Sequence, residues 1–370
     1  FICIIKAFDF MSSFGSMMMS AHPITDSDGV TWNIGASMLS GCKYQVMKIP
    51  PSRTGKAADA LKHAKIFTTI SSSWKTCSSY FHSFAMTKNY IIFMEQPMLI
   101  NCVKLAQMGI KGKSLRDAFE WIPTEKNRFY IVEKSTGTVL KTKYRTEEAY
   151  FSFHYANAFE VDNQIVLDIV TYPSPLVLDK FNLSKLRKNI FTTEDPAQLN
   201  RFVLPIATDY RTLPENKNLA QINGIRARAT RQKDGIMLVP QPVAPPGMEF
   251  PRFNHNNHTK PYQFVYATGS YDEGFYRNSI CKIDVNSGDL VQHKTNRDDE
   301  FFGEPLFIPK PGKDTKEDDG VILSAVSCGD ISRPDYLIML DASSFKEIGR
   351  AEFDAKFLQT LHGTFIGSYQ

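Results

Sequence analysis

Short apolar runs broken by turn residues dominate the chain. NYIIFMEQ (89–96), QIVLDIVTY (164–172), YQFVYATG (262–269) and GVILSAVSC (320–328) are brief, rich in β-branched or aromatic residues and bounded by turn formers, which predicts strands. Three further segments share one pattern: FYIVEKSTGTVL (129–140), CKIDVNSGDLV (281–291) and LIMLDASSFKEI (337–348). Each is an apolar run, an acidic residue, a Ser/Thr-rich turn and a second run, the signature of a β-hairpin, with Gly137 and Gly288 suited to positive φ in the turn. Asp284 and Asp341 are 57 residues apart, close to the roughly 50-residue repeat of one propeller blade. The pattern predicts an all-β fold of the propeller kind, in which each blade is a small antiparallel sheet. Helical patterns are few: KSLRDAFEWI (113–122) and a stretch within KIPPSRTGKAADALKHAKI, whose His63 reads as a surface residue. The Pro-rich VPQPVAPPG (239–247) and the charged KDTKEDDG (313–320) read as connections, because strand patterns resume after both. One domain over 1–370 is the expectation.

Composition narrows the function classes. With 42% hydrophobic and 22% charged residues, the 370-residue chain can bury a large core, as ordinary globular proteins do. A net charge of +4, from 43 basic and 39 acidic residues, is too balanced to predict a nucleic-acid partner. The densest basic run, Arg226, Arg228, Arg231 and Lys233, reads as a solvated surface. Cys3, Cys42, Cys77, Cys102, Cys281 and Cys328 follow no CxxC spacing, which favours a reducing compartment over a disulfide framework. No apolar run reaches the length of about 18 residues that a membrane-spanning helix needs. The opening FICIIKAFDFMSSFGSMMMS lacks an initiator methionine and a charged leader, so the chain reads as a fragment of a longer protein.

Four of the eight histidines stand in strand-like or aromatic surroundings: His22 in MSAHPITDSDG, His82 in YFHSF, His154 in FSFHYANAFE and His362 in QTLHGTFIG. Their separations match no local metal motif such as H-E-x-x-H. Satisfied core histidines are the commoner case, yet the inner strands of a propeller converge on its axis, where the four could supply an all-imidazole metal site. The pair in HNNH, His255 and His258, lies in a turn-rich stretch and reads as surface. Nothing near His293 suggests a ligand.

The segments AHPITDSDGVTWNIG, FHSFAMTKNYIIFMEQP, FHYANAFEVDNQIVLDIVTY, RFVLP, EFPRFN with KPYQFVYATG, GEPLFIPKP with EDDGVILSAV, and LHGTFI run in order from about residue 20 to the C-terminus. Together they resemble the carotenoid cleavage oxygenases, and within them the animal branch of carotenoid oxygenases and retinoid isomerohydrolases. The resemblance implies a seven-bladed β-propeller with a non-heme Fe(II) held by His22, His82, His154 and His362. It implies that Glu249 in MEFPRF and Glu304 in FGEPLF hold ligand imidazoles through their other ring nitrogen. The family's third supporting glutamate and further propeller strands come from sequence ahead of the first histidine, where this chain has only 21 residues, so the propeller is expected to be incomplete at its N-terminus.

The implied reaction adds dioxygen across one C=C bond of a carotenoid or apocarotenoid and yields two carbonyl fragments. The alternative in the same family is a retinyl-ester isomerohydrolase using iron as a Lewis acid, and a further one is an inactive, carotenoid-binding fragment. A propeller serving only as an interaction scaffold would leave the four histidines unexplained. Tyr80, Phe84, Phe153 and Tyr172 are candidate walls of an apolar tunnel, or ordinary core aromatics. Val103, Leu105, Met108 and Ile110, set among Lys104, Lys111 and Lys113, form a mixture suited to peripheral docking on a bilayer, or a segment packed on the fold. The expected location is cytoplasmic, with membrane association at the periphery.

Overall fold

The computed structural model describes residues 8–39, 41–112, 114–188, 195–269, 279–312, 314–357 and 361–365. They fall into two compact units, Phe1–Phe153 with Ala207–Glu215 and Arg231–Met237, and His154–Ile206 with Asn216–Thr230 and Leu238–Gln370.

In the first unit, Thr31–Ser37 pairs antiparallel with Lys43–Ile49, which pairs in turn with Lys65–Ser71. The short strands Met18–Met19 and Ile24–Thr25 both add to the outer side of Thr31–Ser37. A second sheet orders Phe119–Trp121, Met98–Asn101 and Cys77–Ser79. The strands Ala85–Met86, Tyr90–Glu95, Arg128–Glu133 and Tyr144–Thr146 pair side by side in a third. Trp32, Ile34, Tyr44, Val46, Phe84, Ile91 and Phe93 pack into one apolar cluster, so the alternating pattern of these strands is satisfied by burial.

In the second unit, Gln164–Tyr172 pairs with Gln198–Pro205 over eight rungs, from Gln164 opposite Pro205 to Thr171 opposite Gln198. Gln164–Tyr172 is buried along its whole length, as its nearly unbroken apolar run requires. Glu249–Arg252, Phe264–Thr268, Ser279–Asp284 and Leu290–Lys294 form one sheet; Gly320–Cys328, Asp335–Asp341 and Glu347–Phe353 lead another. Tyr266, Phe302, Ile322, Tyr336, Ile338 and Phe345 make its apolar core.

The three predicted hairpin turns share one construction. In each, a backbone N–H four residues after the acidic position returns to that position's carbonyl: Gly137 to Glu133, Gly288 to Asp284 and Phe345 to Asp341, all at 2.8 Å. The returning residue has φ of +78°, +83° and +58° respectively. Glycine accepts that conformation freely; Phe345 adopts it with its ring buried in the core. KSLRDAFEWI departs from expectation. Only Leu115–Ala118 is helical, a 3₁₀ turn with a Ser114/Asp117 capping box, and Phe119–Trp121 is a strand paired with Met98–Asn101. Ala57–Lys62 is the helix expected ahead of His63, which is exposed.

Candidate functional site: two histidine pairs

His22 and His82 belong to the first unit, where their ring centroids lie 4.8 Å apart. One side chain joins their backbones. The Ser20 hydroxyl donates to the His82 carbonyl at 2.7 Å and accepts from the His22 N–H at 3.1 Å. His82 sits in the bend between Cys77–Ser79 and Ala85–Met86 rather than on a strand. The bend is fixed from behind, because the Tyr80 N–H donates to Met98 at 2.7 Å and the Gln96 amide donates to the Tyr80 carbonyl at 2.9 Å. The Tyr80 hydroxyl lies 3.2 Å from His82 Nδ1, within reach to orient the ring. Beside His82 lies a cavity of about 300 Å³ walled by Met18, Met19, Ala21, Tyr80, Phe81 and Ile100. Its lining is largely apolar, which suits a hydrocarbon ligand more than a charged one.

Sequence reasoning passed over the support behind this pair. Glu95 is fully buried and accepts from the Tyr44 hydroxyl at 2.9 Å, the Tyr130 hydroxyl at 3.2 Å and the Ser73 N–H at 2.9 Å. Burial and the Glu95 carboxylate push the Tyr44 phenol well up and Tyr130 to about 12, so both remain donors at neutral pH. Gln96 also bonds Ser152 in both directions, at 3.1 Å and 2.8 Å. The signal was two adjacent polar residues ending the apolar run YIIFMEQ, where both faces are buried.

His154 and His362 belong to the second unit, with ring centroids 5.0 Å apart. His154 Nδ1 meets Glu249 Oε2 at 2.7 Å; the same oxygen accepts from the Phe250 N–H at 2.6 Å, while Oε1 accepts from the Tyr172 hydroxyl at 2.9 Å. A neutral His154 ring that donates to this carboxylate has its proton on Nδ1 and leaves on Nε2 the lone pair that a metal needs. The chain bends to achieve this. The strand register slips between Glu249 and Arg252, and Phe250 has φ of +55°, the kind of backbone outlier that re-aims a side chain. Glu304 serves His362 similarly: Oε1 is 3.1 Å from His362 Nδ1, Oε2 accepts from the Gly363 N–H at 3.1 Å, and Arg252 Nε lies 3.6 Å away. The Phe250 ring sits against both imidazoles, at 5.4 Å and 5.3 Å.

In each pair the candidate ligand nitrogens lie within 4.8 Å of one another. The wall candidates divide. Phe153 packs edge-on against His82 at 5.5 Å and Tyr80 lines the cavity, whereas Phe84 belongs to the apolar core and Tyr172 anchors Glu249. His255 and His258 stack in parallel at 5.0 Å beside a 3₁₀ turn, with His255 exposed. In the helix Cys102–Lys111, capped by Asn101, Val103 is exposed while Leu105 and Met108 are half-buried. Ile110 is in that helix, with its side chain outside the described set, and Lys113 lies outside the described residues. Among the described residues no helix is long and apolar enough to cross a membrane.

Known proteins share this fold and sequence. A variant of Synechocystis apocarotenoid oxygenase superposes with a TM-score of 0.71 at 23% identity, covering 95% of this chain and 65% of that one. The cobalt-substituted form of the same oxygenase gives 0.73 at 22% identity, covering 97% and 67%. The fold is therefore of that oxygenase's β-propeller class, as the repeated hairpins predict. The mitochondrial carotenoid-cleaving dioxygenase of Mustela putorius furo is 34% identical over 363 residues, 94% of this chain and 65% of the relative; the human one is also 34% identical, with 61% of its length covered. Beta,beta-carotene 15,15'-dioxygenase of Mus musculus is 33% identical over 359 residues, with 62% of its length covered. The chain thus spans just under two thirds of these curated relatives. The sequence model of the retinal pigment epithelial membrane protein family matches residues 4–367, and the chain belongs to that family.

Proposed function

We propose that this chain is the metal-binding part of a non-heme Fe(II) dioxygenase that cleaves a C=C bond of a carotenoid or apocarotenoid. The observation that carries the reading is the repeated support of imidazoles by buried carboxylates, His154 by Glu249 and His362 by Glu304. A carboxylate on Nδ1 fixes the tautomer and raises the basicity of Nε2, the arrangement that metal-ligating histidines use. In this reading His22, His82, His154 and His362 together hold one iron, and both units are parts of a single oxygenase domain; the family match from residue 4 to 367 supports that unity. The donor set fits: neutral imidazoles suit iron as well as zinc or copper, and the dioxygenase names of the relatives favour iron. Iron, when bound, supplies the redox chemistry through which dioxygen reacts with a polyene.

The chain's own residues do the rest. Glu249 and Glu304 keep Nδ1 protonated and the rings in place, Ser20 ties His22 to His82, and Tyr80, Phe81, Phe153 and the methionines present an apolar wall to the substrate. The cavity wall offers no carboxylate or amine, in keeping with a cleavage that needs no general acid. Docking of the helix Cys102–Lys111 on a bilayer surface, with exposed Val103 beside Lys104, brings the protein to its lipid-dissolved substrate.

The test is purification without oxygen in the presence of Fe(II), metal analysis, then addition of a carotenoid in micelles and air. Near-stoichiometric iron and oxygen-dependent aldehydes, both lost in His82→Ala, are the expected result. Iron with no aldehyde from any carotenoid, but turnover of retinyl esters, overturns the dioxygenase reading in favour of isomerohydrolysis. Neither iron nor product overturns it altogether.

A further inference from the structure

We propose that Cys42 and Cys102 are an oxidative modification site, a thiol pair that closes to a reversible disulfide with a low-molecular-weight disulfide as oxidant. Their sulfur atoms are 3.2 Å apart, so bond formation asks for an approach of only about 1 Å. Both residues are free thiols and neither is fully buried, which leaves a path for a small oxidant. Cys42 precedes the strand Lys43–Ile49, and Cys102 is the first residue of the helix Cys102–Lys111.

Two hydrogen bonds show that this approach is built rather than casual. The Ser72 N–H donates to the Cys42 carbonyl at 3.0 Å, and the Cys102 N–H donates to the Thr76 carbonyl at 3.1 Å. Both cysteine backbones are therefore pinned to the one short segment between Lys65–Ser71 and Cys77–Ser79. Neither helix fraying nor a hinge is needed to bring them together.

The geometry also orders the chemistry. Burial and the hydrogen bond to Cys102 push the Cys42 thiol up to about 12, which leaves the Cys102 sulfur to attack first. Cys102 is the first residue of a ten-residue helix. Its thiolate attacks one sulfur of oxidised glutathione and expels one glutathione thiolate. Cys42 then gives its proton to water or buffer, attacks the Cys102 sulfur and expels the second glutathione. Two protein thiols are oxidised to one disulfide, and one glutathione disulfide is reduced to two thiols. Cys77 is a neighbouring competitor, since it pairs with Asn101 across the sheet, but burial pushes its thiol up as well.

The test uses the unmodified chain, fully reduced, without metal or carotenoid, so its outcome does not depend on the oxygenase reading. After equilibration in glutathione buffers of increasing oxidation, remaining thiols are alkylated and the peptides mapped by mass. The expected result is a Cys42–Cys102 linked peptide, loss of both alkylation sites together, and full recovery with dithiothreitol. In Cys42→Ser, Cys102 should stop at the glutathione mixed disulfide, while Cys281→Ser should leave the linkage unchanged. Independent alkylation of Cys42 and Cys102 under oxidising buffer, or linkage of Cys102 to Cys77, overturns the proposal.

Discussion

Three donors converge on Glu249, from His154, Phe250 and Tyr172, and this one carboxylate couples a backbone outlier, a buried phenol and a candidate ligand. Glu249→Gln keeps the volume but offers one acceptor oxygen where there were two, and its amide would face at least one N–H or O–H. The expected outcome is metal affinity lowered about 10- to 100-fold and stability lowered by about 1–3 kcal/mol. Competition against a chelator and thermal melts of the metal-free protein read the two effects separately. Unchanged affinity with lowered stability would make Glu249 merely structural. The family resemblance pointed to Glu249 and His154, but the Phe250 and Tyr172 donors were not legible beforehand. The sequence shows one glutamate before Phe-Pro, and only the bulge that turns it inward, together with Tyr172 from a strand far along the chain, makes it a support for His154.

At the scale of elements, strands and turns were legible because their chemistry is local. The hairpin turns in 129–140, 281–291 and 337–348 could be read from an acidic residue and a turn run, and the acidic side chains do cap them. Asp341 Oδ1 accepts from both the N–H and the hydroxyl of Ser344 at 2.7 Å. The Ser344 hydroxyl, then its backbone N–H, hold the Asp341 carboxyl below its ordinary 3.8. A depressed folded-state value means stability that is present above the unfolded value and lost as pH falls through the folded one. Asp341→Asn should therefore differ from the wild type in melting temperature at neutral pH, and the difference should shrink as the pH is lowered below about 4. A gap that stays constant down to pH 2 would show that the carboxylate charge is not what the turn uses. Phe345 was not legible as the left-handed residue of its turn, since glycine is the ordinary choice. Its ring, 4% exposed, holds it there. Phe345→Ala should cost about 3–5 kcal/mol through the cavity, and Phe345→Gly about 1 kcal/mol less because the backbone strain is released. Denaturant unfolding of both variants checks the order. The 113–122 stretch misled for a tertiary reason: Phe119, Glu120 and Trp121 lie opposite Ile100, Leu99 and Met98, and that pairing overrides a helical periodicity of ten residues.

For the whole molecule, the histidines show how far a sequence can speak without its fold. Their spacing carries no local motif; strand-like or aromatic surroundings set the four apart, the family resemblance implied that they are ligands, and the structure pairs His22 with His82 and His154 with His362 in ring contact. Composition said less about location. The outward Val103, with Lys104 held by Glu120 at 2.5 Å, carries the membrane-docking reading, and Val103→Glu should reduce co-sedimentation with anionic vesicles several-fold while leaving metal content unchanged. Equal binding of both proteins would remove the helix Cys102–Lys111 from that role.

The single hydroxyl of Ser20, bridging the His22 N–H and the His82 carbonyl, also bears on how this protein tolerates change. It ties the two backbones to each other by a short polar link, so their spacing does not depend on the length of the chain that runs between them. The stretch at 53–56, exposed and directly ahead of the helix Ala57–Lys62, can then absorb added residues at little entropic cost. A small tag or fluorophore-bearing loop grafted there would report on the protein inside a cell with both imidazoles still in register.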